Sequence, residues 1–326
     1  MTDGIVDNFG RKHTYLRISV TDLCNLRCFY CMPEEGIDLT EKSHLMTFEE
    51  IVGISQKFVD LGVDTIRLTG GEPLVRKNFH LLLESLSKLP IRLKLTTNGI
   101  LLDKYFDLFT RIGLLDLNVS LDSLDQVKNA FITKRDYFRR ILKNIDEALK
   151  RGFRVKLNVV LIKGINDKEV NDFLELTKKK KLTVKFIEFM PFKGNRWDWS
   201  KGVSEEEILK AAKDRFGTLI KLENPIHSTS SNYTIAGHKG TFGIISTVTS
   251  PFCDGCNRLR LTVDGKMKNC LFAAREADLL DPYRKGEDIK PLIIKSIGHK
   301  KYSRDGMKIL EEKQYELNRA MIAIGG

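Results

Sequence analysis

Six strand-like runs, at 15–20, 64–69, 92–97, 115–121, 154–160 and 183–189, recur along the first 190 residues, with helical patterns between most of them. Strand alternating with helix builds a parallel sheet, because each return in the same direction needs a crossover that a helix fills. The first helix opens with Thr47 and Glu50, a capping box, and Gly62 stands where a helix-ending glycine belongs. Between them Phe48, Ile51, Val52, Phe58 and Val59 form one apolar stripe. Further helices are expected near 79–89, 102–112, 137–152 and 168–180. Gly70-Gly71-Glu72-Pro73, Asn98-Gly99, Ser120 and Met190 each lie at or just past a strand's C-terminal end, the edge where parallel α/β sheets bind ligands. Successive strand ends that serve one site favour a curved sheet. The expected fold class is therefore α/β, a partial (β/α)6 TIM-like barrel, two units short of a closed one. After residue 190 the rhythm stops. A turn-rich stretch at 194–199, a helix at 204–216 and short strand-like pieces follow, so 1–190 is expected to form the barrel and 191–326 a smaller α+β region closing its open side.

All six cysteines fall into two triples, Cys24/Cys28/Cys31 and Cys253/Cys256/Cys270. Tightly spaced odd sets argue for metal and against disulfides. The first triple sits directly after the first strand, where one loop can bring three thiolates onto one inorganic centre. A [4Fe–4S] cube usually takes four cysteines, so three leave one iron open to bind a small molecule. Structural zinc is the competing reading, with His44 as the local fourth ligand there and His238 or His299 at the second triple. Between Cys256 and Cys270 lies Asn-Arg-Leu-Arg-Leu-Thr, in which strand alternation puts Arg258 and Arg260 on one face. Two guanidinium forks beside a metal site invite phosphate.

The net charge is +11, with a pI near 9.2, which suits a polyanion as well as a solvated lysine surface. Lys178-Lys179-Lys180-Lys181 falls at an expected helix end, where cations complement the macrodipole. Neither a signal-peptide pattern nor an uninterrupted apolar span long enough for a membrane helix is visible, so a cytoplasmic chain with no membrane partner is expected.

The C-x3-C-x2-C spacing resembles the signature of the radical S-adenosylmethionine (SAM) enzymes, and Gly70-Gly71-Glu72-Pro73 one strand later resembles their SAM-binding loop. Leu16-Arg17-Ile18-Ser19-Val20-Thr21-Asp22 before the first triple, Cys-Asn-Arg-Leu-Arg-Leu-Thr in the second and the terminal Ile324-Gly325-Gly326 together resemble the GTP 3',8-cyclases of molybdenum-cofactor biosynthesis. That resemblance implies two [4Fe–4S] clusters, one on Cys24, Cys28 and Cys31 and one on Cys253, Cys256 and Cys270. It implies SAM contacts by Tyr30, Gly71, Ser120 and Met190, and GTP contacts by Arg17, Arg67, Thr97, Lys156, Arg258, Leu259 and Arg260. It further implies a homodimer, an electron donor, a downstream cyclic pyranopterin monophosphate synthase and no nucleic-acid partner. The C-terminal glycines are expected to reach into the barrel. Lys185 departs from the family, which carries Arg there, and keeps the charge without the bidentate fork. A radical SAM enzyme that modifies a peptide or RNA is the alternative, opposed by the paired arginines and the Gly-Gly end.

Overall fold

The computed structural model describes residues 4–33, 35–307 and 314–325. Its centre is the expected parallel array, in the order Tyr15–Ser19, Thr65–Thr69, Arg92–Thr97, Asp116–Ser120, Arg154–Leu161 and Thr183–Glu188. Strand follows neighbouring strand through helices Phe48–Asp60, Phe79–Leu86, Phe106–Arg111, Phe138–Lys150 and Val170–Lys179. The Thr47/Glu50 capping box is present, and a second one joins Ser204 to Glu207 at the start of Glu205–Phe216. Helix Gln126–Thr133, only eight residues long, is an addition to the expected set, and Asp125 caps it by accepting from the Lys128 amide.

The residues after 190 do more than cover an open side. Thr241–Ile245 pairs parallel with Thr183–Glu188 on one edge, and Arg258–Leu261 pairs parallel with Tyr15–Ser19 on the other. Six strands plus one at each edge make eight parallel strands, inside a sheet of twelve. Further antiparallel strands complete both edges.

Alternation along these strands separates two chemistries. Leu16, Ile18, Ile66, Leu68, Leu95, Leu117, Val119, Leu157, Phe186, Leu259 and Leu261 are buried in one continuous apolar core beneath the helices. The alternate positions carry Tyr15, Arg17, Arg67, Lys94, Asn118, Lys156, Lys185, Arg258 and Arg260. A face this polar is not spent on packing. Among the described residues, no helix is long and apolar enough to cross a membrane.

Candidate functional site

The loop bearing Cys24, Cys28 and Cys31 is held at the C-terminal edge of the sheet by its own backbone. Gly71 N donates to Thr21 O at 2.6 Å, and Glu72 N donates to Leu23 O at 2.8 Å. A Cβ on Gly71 would overlap the Leu23 carbonyl, and one on Gly70 would lie 2.5 Å from Thr21 O. The paired glycines are thus required by the approach of one chain segment to another, whatever ligand they also meet. Gly71→Ala is expected to cost about 1–3 kcal/mol through overpacking and to shift the cysteine loop. Iron bound after anaerobic reconstitution, and the denaturation midpoint, measure the two effects.

Glu72 is buried, which pushes its carboxyl up to about 7, against the hydrogen bonds it accepts from the amides of Asn98 and Leu74 and the Thr97 hydroxyl. Asn98 in turn donates to Asn25 Oδ1 at 2.7 Å, inside the cysteine loop. Tyr30 donates its hydroxyl to Asp122 at 2.7 Å, and Asp122 also accepts from Val160 N. Burial raises the Asp122 carboxyl to about 6 and pushes the Cys28 and Cys31 thiols up, with the neighbouring thiols and Asp122 adding to the shift. Ser120 stands on the polar face at the end of its strand, and Met190 follows the sixth strand, its carbonyl accepting from Asn195 at 2.8 Å.

The second triple is brought to the same barrel by the pairing of Arg258–Leu261 onto the first strand. In that register Arg260 stands opposite Arg17, Arg17 opposite Arg67, and Arg67 opposite Lys94, a row of four cations across adjacent strands. Arg67 is committed to the protein, donating to the Tyr15 hydroxyl at 2.6 Å and Leu95 O at 2.8 Å. Arg17 is not: its buried Nε has no partner, and Nη1 of Arg258 has none either. Burial and the neighbouring guanidinium of Arg260 hold Arg17 well below its ordinary range, and burial brings Arg260 down to about 10. Burial, Lys94 and Arg67 lower Lys156 as well, and burial with Lys156 beside it brings Lys185 to about 7. Crowded cations with orphaned N–H groups are the electrostatic complement of a polyanion.

Two expectations need correction. Thr97 shares the outward face with Leu93 and Leu95, and its hydroxyl is taken by Glu72 at 2.8 Å, so the inward position at that strand end belongs to Thr96. Leu259 is fully buried in the apolar core, so only its backbone remains for a ligand. Lys94, absent from the expected set, was legible only once strand register was known. Lys185 bonds to Ser230 at 2.7 Å and to Asn232.

Each triple supplies three sulfurs, and in both sets thiol acts on thiol electrostatically. Among the described residues, no three His, Cys, Asp or Glu side chains converge as a single ion requires. The histidines that could close a zinc site are placed otherwise: His44 and His299 are exposed, and His238 is engaged with Thr177 at 2.7 Å. A [4Fe–4S] cluster, in which each thiolate meets a different iron, takes three thiolates and leaves one iron open. The surroundings differ in sign: Lys300 and Arg258 act on Cys256, whereas Asp122 acts on Cys28 and Cys31.

Helix Met321–Ile324 lies between the two. Ile322 packs with Met32, Ala320, Cys24 and Cys31, while Ile324 and Met321 join the cluster that includes Cys270. Gly325, with φ of 85°, accepts from Arg260 Nη1 at 2.9 Å. The tail is locked upstream by Arg319 on Asp264 at 2.9 and 3.0 Å and by buried Lys268 on Asn318 at 2.9 Å. Gly326 lies outside the described residues.

Residues 18–177 match the Radical SAM superfamily model, and residues 182–305 the Molybdenum Cofactor Synthesis C model. The mitochondrial GTP 3',8-cyclase of Arabidopsis thaliana is 45% identical, covering 100% of this chain and 84% of that protein. GTP 3',8-cyclase of Peptoclostridium acidaminophilum is 43% identical, covering 99% and 98%. Molybdenum cofactor biosynthesis protein 1 of Homo sapiens is 41% identical across 98% of this chain, which spans 51% of that relative. In fold, the chain is similar to Streptococcus suis SuiB in its crystal structure with S-adenosylmethionine, with a TM-score of 0.56 at 18% identity, over 83% of this chain and 65% of that one.

Proposed function

This chain belongs to the radical SAM superfamily and, within it, to the GTP 3',8-cyclases of molybdenum-cofactor biosynthesis, and from that membership we propose how its residues divide the reaction. The observation that carries the reading is the parallel pairing of Arg258–Leu261 with Tyr15–Ser19, which sets Arg260 beside Arg17 and joins the second cysteine triple to the barrel of the first. Residues 1–190 hold SAM and residues 191–326 complete the GTP site. Cys24, Cys28 and Cys31 hold one [4Fe–4S] cluster, and Cys253, Cys256 and Cys270 the other. When bound, the first cluster with SAM would supply the one-electron chemistry that removes the 3' hydrogen of GTP, and the second, held by Cys253, Cys256 and Cys270, would offer an open iron to the guanine base.

The rest is positioning, charge and water exclusion. Arg17 and Arg258, whose buried Nε and Nη1 have no protein partner, grip the triphosphate together with Arg260 beside them, and Arg67, Lys94, Lys156 and Lys185 add charge around it. Thr96 takes the role first expected of Thr97. Tyr30, Gly71, Ser120 and Met190 line the SAM side, with Tyr30 oriented by its bond to Asp122. The Met321–Ile324 helix fills the space between the two thiol triples and keeps water from the reacting carbon. A homodimer, a separate electron donor and a downstream cyclic pyranopterin monophosphate synthase complete the proposal. A cytoplasmic location goes with it, although the plant relative is mitochondrial. Anaerobic incubation with GTP, SAM and dithionite, followed by product analysis, tests it: 3',8-cyclo-7,8-dihydro-GTP is expected, and 5'-deoxyadenosine without cyclised nucleotide contradicts it.

Lys185 makes the site pH-dependent. Its ammonium titrates near 7 in the free protein, and a triphosphate beside it raises that value. Binding above pH 7 therefore takes up a proton, and GTP affinity should fall with rising pH by up to about tenfold per unit. Lys185→Arg, always charged, should flatten this slope; calorimetry from pH 7 to 9 on both proteins decides it.

A further inference from the structure

The electron spent on SAM has to reach the first cysteine triple from outside the chain. The outer wall beside that triple is helix Gln126–Thr133. Its carboxyl end is pinned to the cysteine loop: Arg27 N donates to Thr133 O at 2.9 Å, and Phe29 N to Ile132 O at 3.3 Å. Val127 and Phe131, four residues apart and so on one helix face, are 78% and 54% exposed. The Phe131 ring meets Phe29 at 6.0 Å between centroids, and Phe29 meets Tyr30 at 6.0 Å. Aromatic contact thus runs from the exposed patch to the residue between Cys28 and Cys31.

Three cations belong to the carboxyl end of this helix and the loop it holds, while the nearby carboxylates Asp125 and Asp136 are engaged with the Lys128 amide and the Gln126 side chain. Lys134 Nζ stands 4.5 Å over the Phe131 ring, Arg135 donates only to the Lys134 carbonyl, and exposed Arg27 donates to the Met32 sulfur. Among the described residues, none of these three is paired with a carboxylate. All three therefore keep their charge available to a partner.

We propose that Val127 and Phe131, with Arg27, Lys134 and Arg135, form the docking surface for an acidic one-electron carrier protein that reduces the cluster held by Cys24, Cys28 and Cys31. The carrier is oxidised by one electron and the cluster reduced by one; no atom is transferred. A small apolar centre inside a charged rim suits a short-lived encounter, in which charge steers approach and little area is buried. A second copy of the chain fits less well, because the chain carries +11 and a two-fold contact here would set these cations against their own counterparts. The inference rests on the proposed function only for the cluster at the first triple.

The test uses photoreduced flavodoxin, an acidic flavoprotein, and dithionite as parallel reductants of the cluster-loaded protein, with cluster bleaching followed by stopped flow. Calorimetry with oxidised flavodoxin reports binding without turnover. Lys134→Glu with Arg135→Glu changes exposed side chains that make no ion pair among the described residues, and Phe131→Ala, made separately, removes the ring contact with Phe29 but no hydrogen bond. Flavodoxin-driven reduction is expected to slow at least about tenfold in the charge-reversed protein, and wild-type binding to weaken between about 50 and 300 mM salt. Reduction by dithionite should not change. Equal flavodoxin rates in wild type and variants overturn the docking surface while leaving the cluster assignment intact. A wild type that dithionite cannot bleach overturns the cluster assignment and the proposal with it. Wild-type self-association lost in Phe131→Ala assigns the face to a second copy and likewise overturns it.

Discussion

With Ala in place of Arg260, GTP affinity should fall about 10–150-fold while SAM binding is unchanged, since each charge-assisted hydrogen bond contributes about 1.5–3 kcal/mol. Arg260 stands opposite Arg17 in register and also holds the Gly325 carbonyl, so its loss removes a phosphate ligand and loosens the tail. Arg17→Ala separates these effects, because Arg17 has a buried Nε without a partner and is held well below its ordinary range by burial and by Arg260. Its removal should weaken GTP binding over the same range yet leave the ligand-free protein no less stable, because an unpaired buried charge destabilises the state that contains it. Calorimetry gives the affinities and thermal denaturation the stabilities. Unchanged GTP affinity in both variants would take the triphosphate out of this row of cations.

Gly325→Val should reduce cyclised product by about a hundredfold or more, while both clusters assemble and 5'-deoxyadenosine still forms. A side chain at Gly325 would collide with the Thr69 hydroxyl and come within 3.1 Å of Ser19 Cβ, and φ of 85° is itself strained for valine. The tail must then withdraw from Arg260 and from between the triples, and misplacement of about 1 Å near reacting atoms is enough to lose two orders of magnitude. The upstream anchors, Arg319 on Asp264 and Lys268 on Asn318, are untouched, so the fold should persist. Cyclised nucleotide is compared with 5'-deoxyadenosine under identical reducing conditions. An unchanged ratio would mean that the tail's place beside Ser19 and Thr69 has no part in the chemistry.

Local signals were sufficient for much of the molecule. The six central strands, the Thr47 and Ser204 helix starts and the two cysteine triples follow from period, capping chemistry and spacing, each of which acts within a few residues. Alternation also placed Arg258 and Arg260 on one face before their surroundings were known. Thr97 came from the family resemblance and not from alternation, which, counted from Lys94, puts Thr96 inward.

Other features had no local mark. That strands from after residue 190 extend both edges of the sheet, that Lys94 joins the row running through Arg67, Arg17 and Arg260, and that Gly70 and Gly71 are packed against Thr21 and Leu23 all depend on strand order and register. Neighbouring strands here come from segments as far apart as Tyr15–Ser19 and Arg258–Leu261. The sequence by itself determined which residues alternate, cap helices and carry thiols or charge. Only the tertiary structure decided which of them meet, because hydrogen-bonded pairing between distant strands sets that register, and a strand's own residues do not encode its neighbour.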